Sequence, residues 1–93
     1  MQGARFKWGW TAMMCAAEAG DVPVGRLLLN NLKNKGDMFA VAGREGWTAL
    51  HVAAVKGNRL FFKWLEEAGE KAGRRWEERD CKGRTAFQLK DWE

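Results

Sequence analysis

Apolar residues recur along this chain at helical spacing, in short blocks closed by glycine. Between Gly46 and Gly57, Leu50, Ala53 and Ala54 fall at i, i+3 and i+4. Thr48 stands just ahead of them, where a hydroxyl accepts the free N–H groups of a first helical turn. Gly57 stands just behind, where a glycine adopts the left-handed backbone of a helix end. The block predicts a short helix over about 48–56. The next block, Phe61, Trp64, Leu65, Ala68 and Ala72, predicts a longer helix capped by Asn58 and stopped by Gly73. Its other positions, Glu66, Glu67, Glu70 and Lys71, are expected in water. Upstream, Thr11 to Ala19 predicts a helix ended by Gly20. Asp21 then caps a second helix with Pro23 in its first turn, Val24, Leu27, Leu28 and Leu32 on one face, and Gly36 as its stop. Thr85 opens a last short helix carrying Phe87.

The blocks repeat. Gly9, Gly46 and Gly83 are spaced by 37 residues, as are Thr11, Thr48 and Thr85. A period of this order means stacked helical units, each too small to bury a core alone. The phrase GWTALHVAAVKG at Gly46–Gly57 resembles the ankyrin repeat: Gly46, Thr48, Leu50, His51, Ala53, Ala54 and Gly57 fall on its pattern. Gly9, Thr11, Ala16, Ala17 and Gly20 match in the first copy, and Gly83 and Thr85 in the third. Ala12, Ala49 and Ala86 stand where the family has proline.

The resemblance implies an all-α fold, a short solenoid of helix-turn-helix repeats. It implies one domain over 1–93, with repeats at about 5–41 and 42–78 and a truncated third at about 79–93. The usual period is about 33 residues. The extra residues are expected to lengthen the outer helices by one turn, ~6 Å, between Leu29 and Lys35 and between Glu66 and Ala72. The connector from Asp37 to Glu45 is expected to be extended, with Phe39 as its core anchor and Trp76 as the equivalent anchor of the following unit. Gly43 stands where the family prefers an aspartate that braces the turn, and Asp80 restores it. Lys90 and Asp91 replace two alanines, so nothing is expected to stack beyond the last helix.

Ninety-three residues with 46% apolar and 30% charged side chains suit one small folded domain. There is no apolar run of ~18 residues, so no membrane span is expected, and no secretory leader is read at Met1. Cys15 and Cys81 are too few and too far apart along the stack for a disulfide framework, which makes an intracellular, cytoplasmic location the expectation. His51 is the only histidine and has no partners at metal-ligand spacing. In the family this histidine bonds the backbone of the neighbouring turn; Met14 and Gln88 take its place here in the other copies. No phosphate loop and no nucleophile–base constellation is present, so no enzyme, cofactor or metal is expected.

Function is therefore sought at the positions the repeat leaves free. In the family these are the hairpin tips and the ends of the inner helices on the concave face. They correspond to Arg5, Lys7, Trp8, Trp10 and Glu18, then Arg44, Glu45, Trp47, Val55 and Lys56, then Arg79, Lys82 and Arg84. Trp and Arg often dominate protein interfaces, and a net charge of +4 favours an acidic partner. The expected function is protein–protein interaction, with regulation or inhibition of the partner as one form. For Trp10 and Trp47 two readings stand: exposed anchors, or rings packed along the hairpin stack. An alternative is nucleic-acid binding by the basic, Trp-bearing face. With few repeats, weak homodimerisation is a further expectation.

Overall fold

A computed structural model describes residues 10–41 and 43–92. The elements in order are α1 (Ala12–Ala19), α2 (Val22–Asn31), a 3-10 helix (Lys35–Phe39), α3 (Ala49–Lys56), α4 (Arg59–Lys71) and α5 (Ala86–Leu89). No strand lies among the described residues. The inner helices α1, α3 and α5 pack side by side, and α2 and α4 back the first two.

Each inner helix opens by the same local device. Thr11 Oγ1 accepts the Met14 N–H at 3.2 Å, and Thr48 Oγ1 accepts that of His51 at 3.4 Å. In return the third helical residue accepts the N–H of the threonine. Met14 Sδ does so at 3.5 Å, His51 Nδ1 at 3.1 Å and Gln88 Oε1 at 2.8 Å. The reciprocal pair satisfies two N–H groups that a helix start leaves open. Gly20 and Gly57 close α1 and α3 in the left-handed conformation expected of them.

The core runs between the layers. Met13, Met14, Ala16 and Ala17 of α1 join Leu50, Val52, Ala53 and Ala54 of α3 and Phe61, Phe62 and Leu65 of α4. Full burial of each large side chain contributes about 1.5–3 kcal/mol. Phe39 and Trp76, the expected anchors, are both buried and pack against each other at a tilt, ring centroids 4.3 Å apart.

Four local expectations change. First, α2 is rotated: Val24 and Leu27 are exposed, while Gly25 is the helix's only buried residue. A Cβ on Gly25 would lie 2.8 Å from the Trp64 ring and 2.9 Å from Phe61, so its absence lets α2 approach α4. Leu28, Leu29 and Leu32 follow Gly25 onto the core side. Val24 and Leu27 precede Phe61 and Trp64 by one 37-residue step. In α4 that face is covered by α2, and among the described residues no helix covers it in α2.

Second, the extra residues take two forms. In the second unit they extend α4, a helix of 13 residues, whereas α2 has 10 and stops at Asn31. The remainder of the first unit winds into the 3-10 helix, so Gly36 lies inside an element and the connector begins helically. Third, Asn58 does not cap α4 with its side chain. Its amide donates to the carbonyls of Ala17 at 2.7 Å and Glu18 at 2.9 Å, satisfying the open end of α1 from the next unit. Asp21, which has no amide to donate, caps α2 by accepting the Val24 N–H. Fourth, Ala72 is exposed at the end of α4, and Phe62 and Gly69 are buried instead.

Candidate protein-interaction surface

The described candidates gather on two turns and on the ends of α1 and α3. The first turn runs over Gly43–Gly46 and the second over Asp80–Arg84. They sit side by side, with the Cys81 N–H donating to the Glu45 carbonyl at 2.8 Å. Arg5, Lys7 and Trp8 lie outside the described residues.

The second turn is built around Asp80, which is only 6% exposed. Its Oδ1 accepts the Lys82 and Arg84 N–H groups, both at 2.9 Å. Its Oδ2 accepts Arg84 Nε at 3.0 Å and the Trp47 indole N–H at 3.1 Å. Burial alone would raise the Asp80 pKa. The donors from Arg84, Trp47 and Lys82 outweigh it and hold the carboxyl well below the ordinary carboxylate range. The Arg84 carbonyl accepts the Asp80 N–H at 2.8 Å and faces His51 Nε2 at 2.9 Å.

His51 thus joins two units. Its Nδ1 accepts from the Thr48 backbone, so the proton of the neutral ring sits on Nε2 and points at the Arg84 carbonyl. Burial pushes the His51 pKa below its ordinary value of 6.5, although the Arg84 carbonyl, Asp80 and Glu78 pull it upward. This is a scaffold histidine: both ring nitrogens are used by the backbone.

The first turn lacks that frame. Gly43 stands one period before Asp80, at φ +82°. A Cβ there would lie 2.7 Å from Trp10 Nε1. Trp10 is 6% exposed and packs against Trp47, ring centroids 6.4 Å apart. Its indole N–H is buried without a hydrogen-bond partner, and so is Glu45 Oε1. Of the two readings for these tryptophans, packing along the turn stack is the one observed. Trp10 offers no face to a partner, and Trp47 is half-buried with its N–H committed to Asp80.

The charged candidates divide further. Arg84 is held by Asp80, with the guanidinium 2.9 Å from Oδ2. Lys56 pairs with Glu18 at 3.4 Å across the ends of α3 and α1. Arg79 donates to the Gly83 carbonyl at 2.9 Å but remains exposed. Arg44, Lys82, Val55 and Lys56 are exposed as expected. Trp92 packs on Phe62 with ring centroids 5.4 Å apart. Sequence reasoning found Asp80 as the brace. It missed the Trp47 bond, though a tryptophan at the same repeat position as Trp10 signalled a shared place in the turn stack.

A family model described as ankyrin repeats, three copies, matches residues 1–75. The chain belongs to the ankyrin repeat family. No curated protein and no solved structure matches it. Ankyrin repeats are generally protein–protein interaction modules and are typically not enzymes. Among the described residues, no group of three His, Cys, Asp or Glu side chains could hold a metal ion. No described helix is long and apolar enough to cross a membrane. The Asp80 turn lies just beyond the matched residues, yet it bonds to the matched unit through His51 and Trp47.

Proposed function

We propose that this ankyrin repeat chain, as one domain over 1–93 with the unit boundaries given above, binds a protein with an acidic surface through its turn tips and inner-helix ends. The observation that carries this reading is the exposed cation set at adjoining tips, Arg44, Arg79 and Lys82, with Val55 and Lys56 beside it. Rigid presentation supports it: the Asp80 hydrogen bonds fix the second turn before binding, so little order is lost on association. Regulation or inhibition of the partner is one form of the same contact, and an intracellular setting belongs to the reading. The set of anchors is narrower than the sequence implied. Trp10 and Arg84 serve the scaffold, and Glu18 and Lys56 offset each other's charge.

The nucleic-acid alternative keeps less support among the described residues, because base stacking needs free aromatic faces and Trp10 is buried. The test is capture from the source cell with the wild-type chain and with Arg44→Glu/Lys82→Glu. A captured protein with an acidic surface whose retention falls at least tenfold for the variant, at unchanged melting temperature, bears the reading out. Equal retention by both chains sinks it. Steeply salt-dependent, submicromolar binding to single-stranded DNA or RNA would reinstate the alternative.

A further inference from the structure

The outer helices α2 and α4 touch near Gly25 and then part. The missing side chain of Gly25 lets α2 lie against the rings of Phe61 and Trp64. Beyond that contact α4 runs on to Lys71, whereas α2 ends at Asn31. The repeat register shows what this leaves uncovered. Ala68 and Ala72 of the second unit correspond to Asn31, the last residue of α2, and Lys35, the first of the 3-10 helix. The two alanines therefore lie where α2 no longer runs beside α4. A crevice of about 310 Å³ opens there. Leu29 of α2 lines one side and Trp64, Ala68 and Ala72 the other, with Met38 of the 3-10 helix completing the apolar lining. Both sides belong to described helices in the interior of the sequence.

The lining decides the chemistry of what fits. Five of the seven lining residues are apolar. The Trp64 indole and the Met38 thioether are groups that pair well with an aromatic ring. Met38 is buried and Ala72 exposed, so the crevice reaches from the core to the surface. The two charged lining residues, Glu67 and Lys71, are exposed, one turn apart on α4 and opposite in sign. Their fields oppose each other, so neither an anionic nor a cationic group is drawn in. Moving either kind of charge from water into an apolar lining is costly. Size follows from volume. An apolar cavity of about 150 Å³ holds a single benzene ring, and this crevice, with about twice that volume, suits two fused rings.

We propose that the crevice between α2 and α4 binds one small, uncharged aromatic molecule of two fused rings, seated between Leu29 and Ala68 against Trp64 and Met38. The site is separate from the turn tips and stands whether or not they bind a protein.

Two probes of one shape test it: 2-naphthol, uncharged at neutral pH, and 2-naphthoate, which carries a carboxylate. The full chain is titrated with each at about 0.15 M salt, and the methyl resonances of Leu29, Met38, Ala68 and Ala72 are followed by NMR. With 2-naphthol these methyls are expected to shift together and saturate with a dissociation constant below about 1 mM, a modest affinity suited to so small a ligand. 2-Naphthoate is expected to bind at least about threefold more weakly, although the chain's net charge of +4 draws it. Ala68→Leu puts a larger side chain into the crevice and should weaken 2-naphthol at least about tenfold, with the melting temperature unchanged or raised. Ala72 is exposed, so Ala72→Leu supplies the same test on an intact fold should Ala68→Leu unfold the chain. No saturable shift, shifts led by methyls elsewhere, 2-naphthoate binding as tightly as 2-naphthol, or undiminished 2-naphthol binding in the filled variants each overturns the proposal.

Discussion

The two turns occupy equivalent places in successive repeats and are held in opposite ways. At the second, one buried carboxylate gathers the backbone of Lys82 and Arg84, the Arg84 guanidinium and the Trp47 indole. At the first, Gly43 leaves an opening, the Trp10 ring stands against it, and the indole N–H has no acceptor. The same tryptophan in the same register is thus a bonded strut in one turn and space-filling in the other. The repeat pattern sets where a side chain stands. The residue 33 positions further on sets what it does, Gly43 for Trp10 and Asp80 for Trp47.

The largest effect is expected at Asp80. Asp80→Ala strands two backbone N–H groups and the Arg84 guanidinium at once. Several lost hydrogen bonds in a small domain correspond to a fall in melting temperature of roughly 10 °C or more. Thermal unfolding by circular dichroism measures it. A fall of under about 3 °C would mean the two turns are equally loose. Next comes Gly43→Ala. Its positive φ and the nearby Trp10 ring place strain on any side chain there, and about 1–3 kcal/mol of stability should be lost. A neutral result in denaturant titration would show that the first turn can re-form around a side chain.

Trp47→Phe isolates the bond that the first turn lacks. Hydrogen bonds to charged acceptors carry about 1.5–3 kcal/mol. Trp47 is half-buried, so a loss of about 1–2 kcal/mol is expected from equilibrium unfolding, some of it from lost ring area.

Acid sharpens the same contrast in two steps. The folded-state pKa of His51 is depressed, so its contribution is complete above pH 6.5 and declines as pH falls through the folded value, because the unfolded chain binds the extra proton first. Asp80 is also depressed. Its contribution is present above the ordinary aspartate value near 4 and is lost only in stronger acid. Melting temperature against pH should therefore drop first below about 6.5 and again below about 4. In His51→Gln the first drop should vanish and the second remain; a first drop that persists would assign it to another group.

Much of the fold could be read from the chain because helix ends obey local rules. Thr48, Gly57 and the Leu50–Ala53–Ala54 spacing mark α3 with no knowledge of its neighbours. The rotation of α2 could not be read that way. Val24 and Leu27 make a good apolar stripe in isolation, and only the crossing of α2 on Phe61 and Trp64 selects Gly25 for the inside. The 3-10 helix arises because the first unit carries its extra residues past Asn31, whereas α4 continues to Lys71. For the candidate surface, exposure of Arg44, Lys82, Val55 and Lys56 followed from the repeat register. The fate of the tryptophans turned on Gly43 against Asp80. That difference was visible in the sequence, but its link to Trp10 and Trp47 needed the turns to be seen stacked.

The smallest expected effect is the most discriminating. Trp10→Phe removes ring volume, which costs stability, and also removes a buried donor with no partner, which restores some. The two terms oppose each other, so the net change should stay within about 0.5 kcal/mol, below that of Trp47→Phe although Trp10 is the more buried ring. Equilibrium unfolding of the two single variants side by side is the measurement. If Trp10→Phe costs as much as Trp47→Phe, the Trp10 N–H has an acceptor after all, and Glu45, whose Oε1 lies 3.7 Å from the place of a Gly43 Cβ, is the residue to replace next. A Glu45→Ala chain that then shows no further loss on Trp10→Phe would identify that acceptor and make the first turn a braced one, with the carboxylate supplied two residues later than in the second.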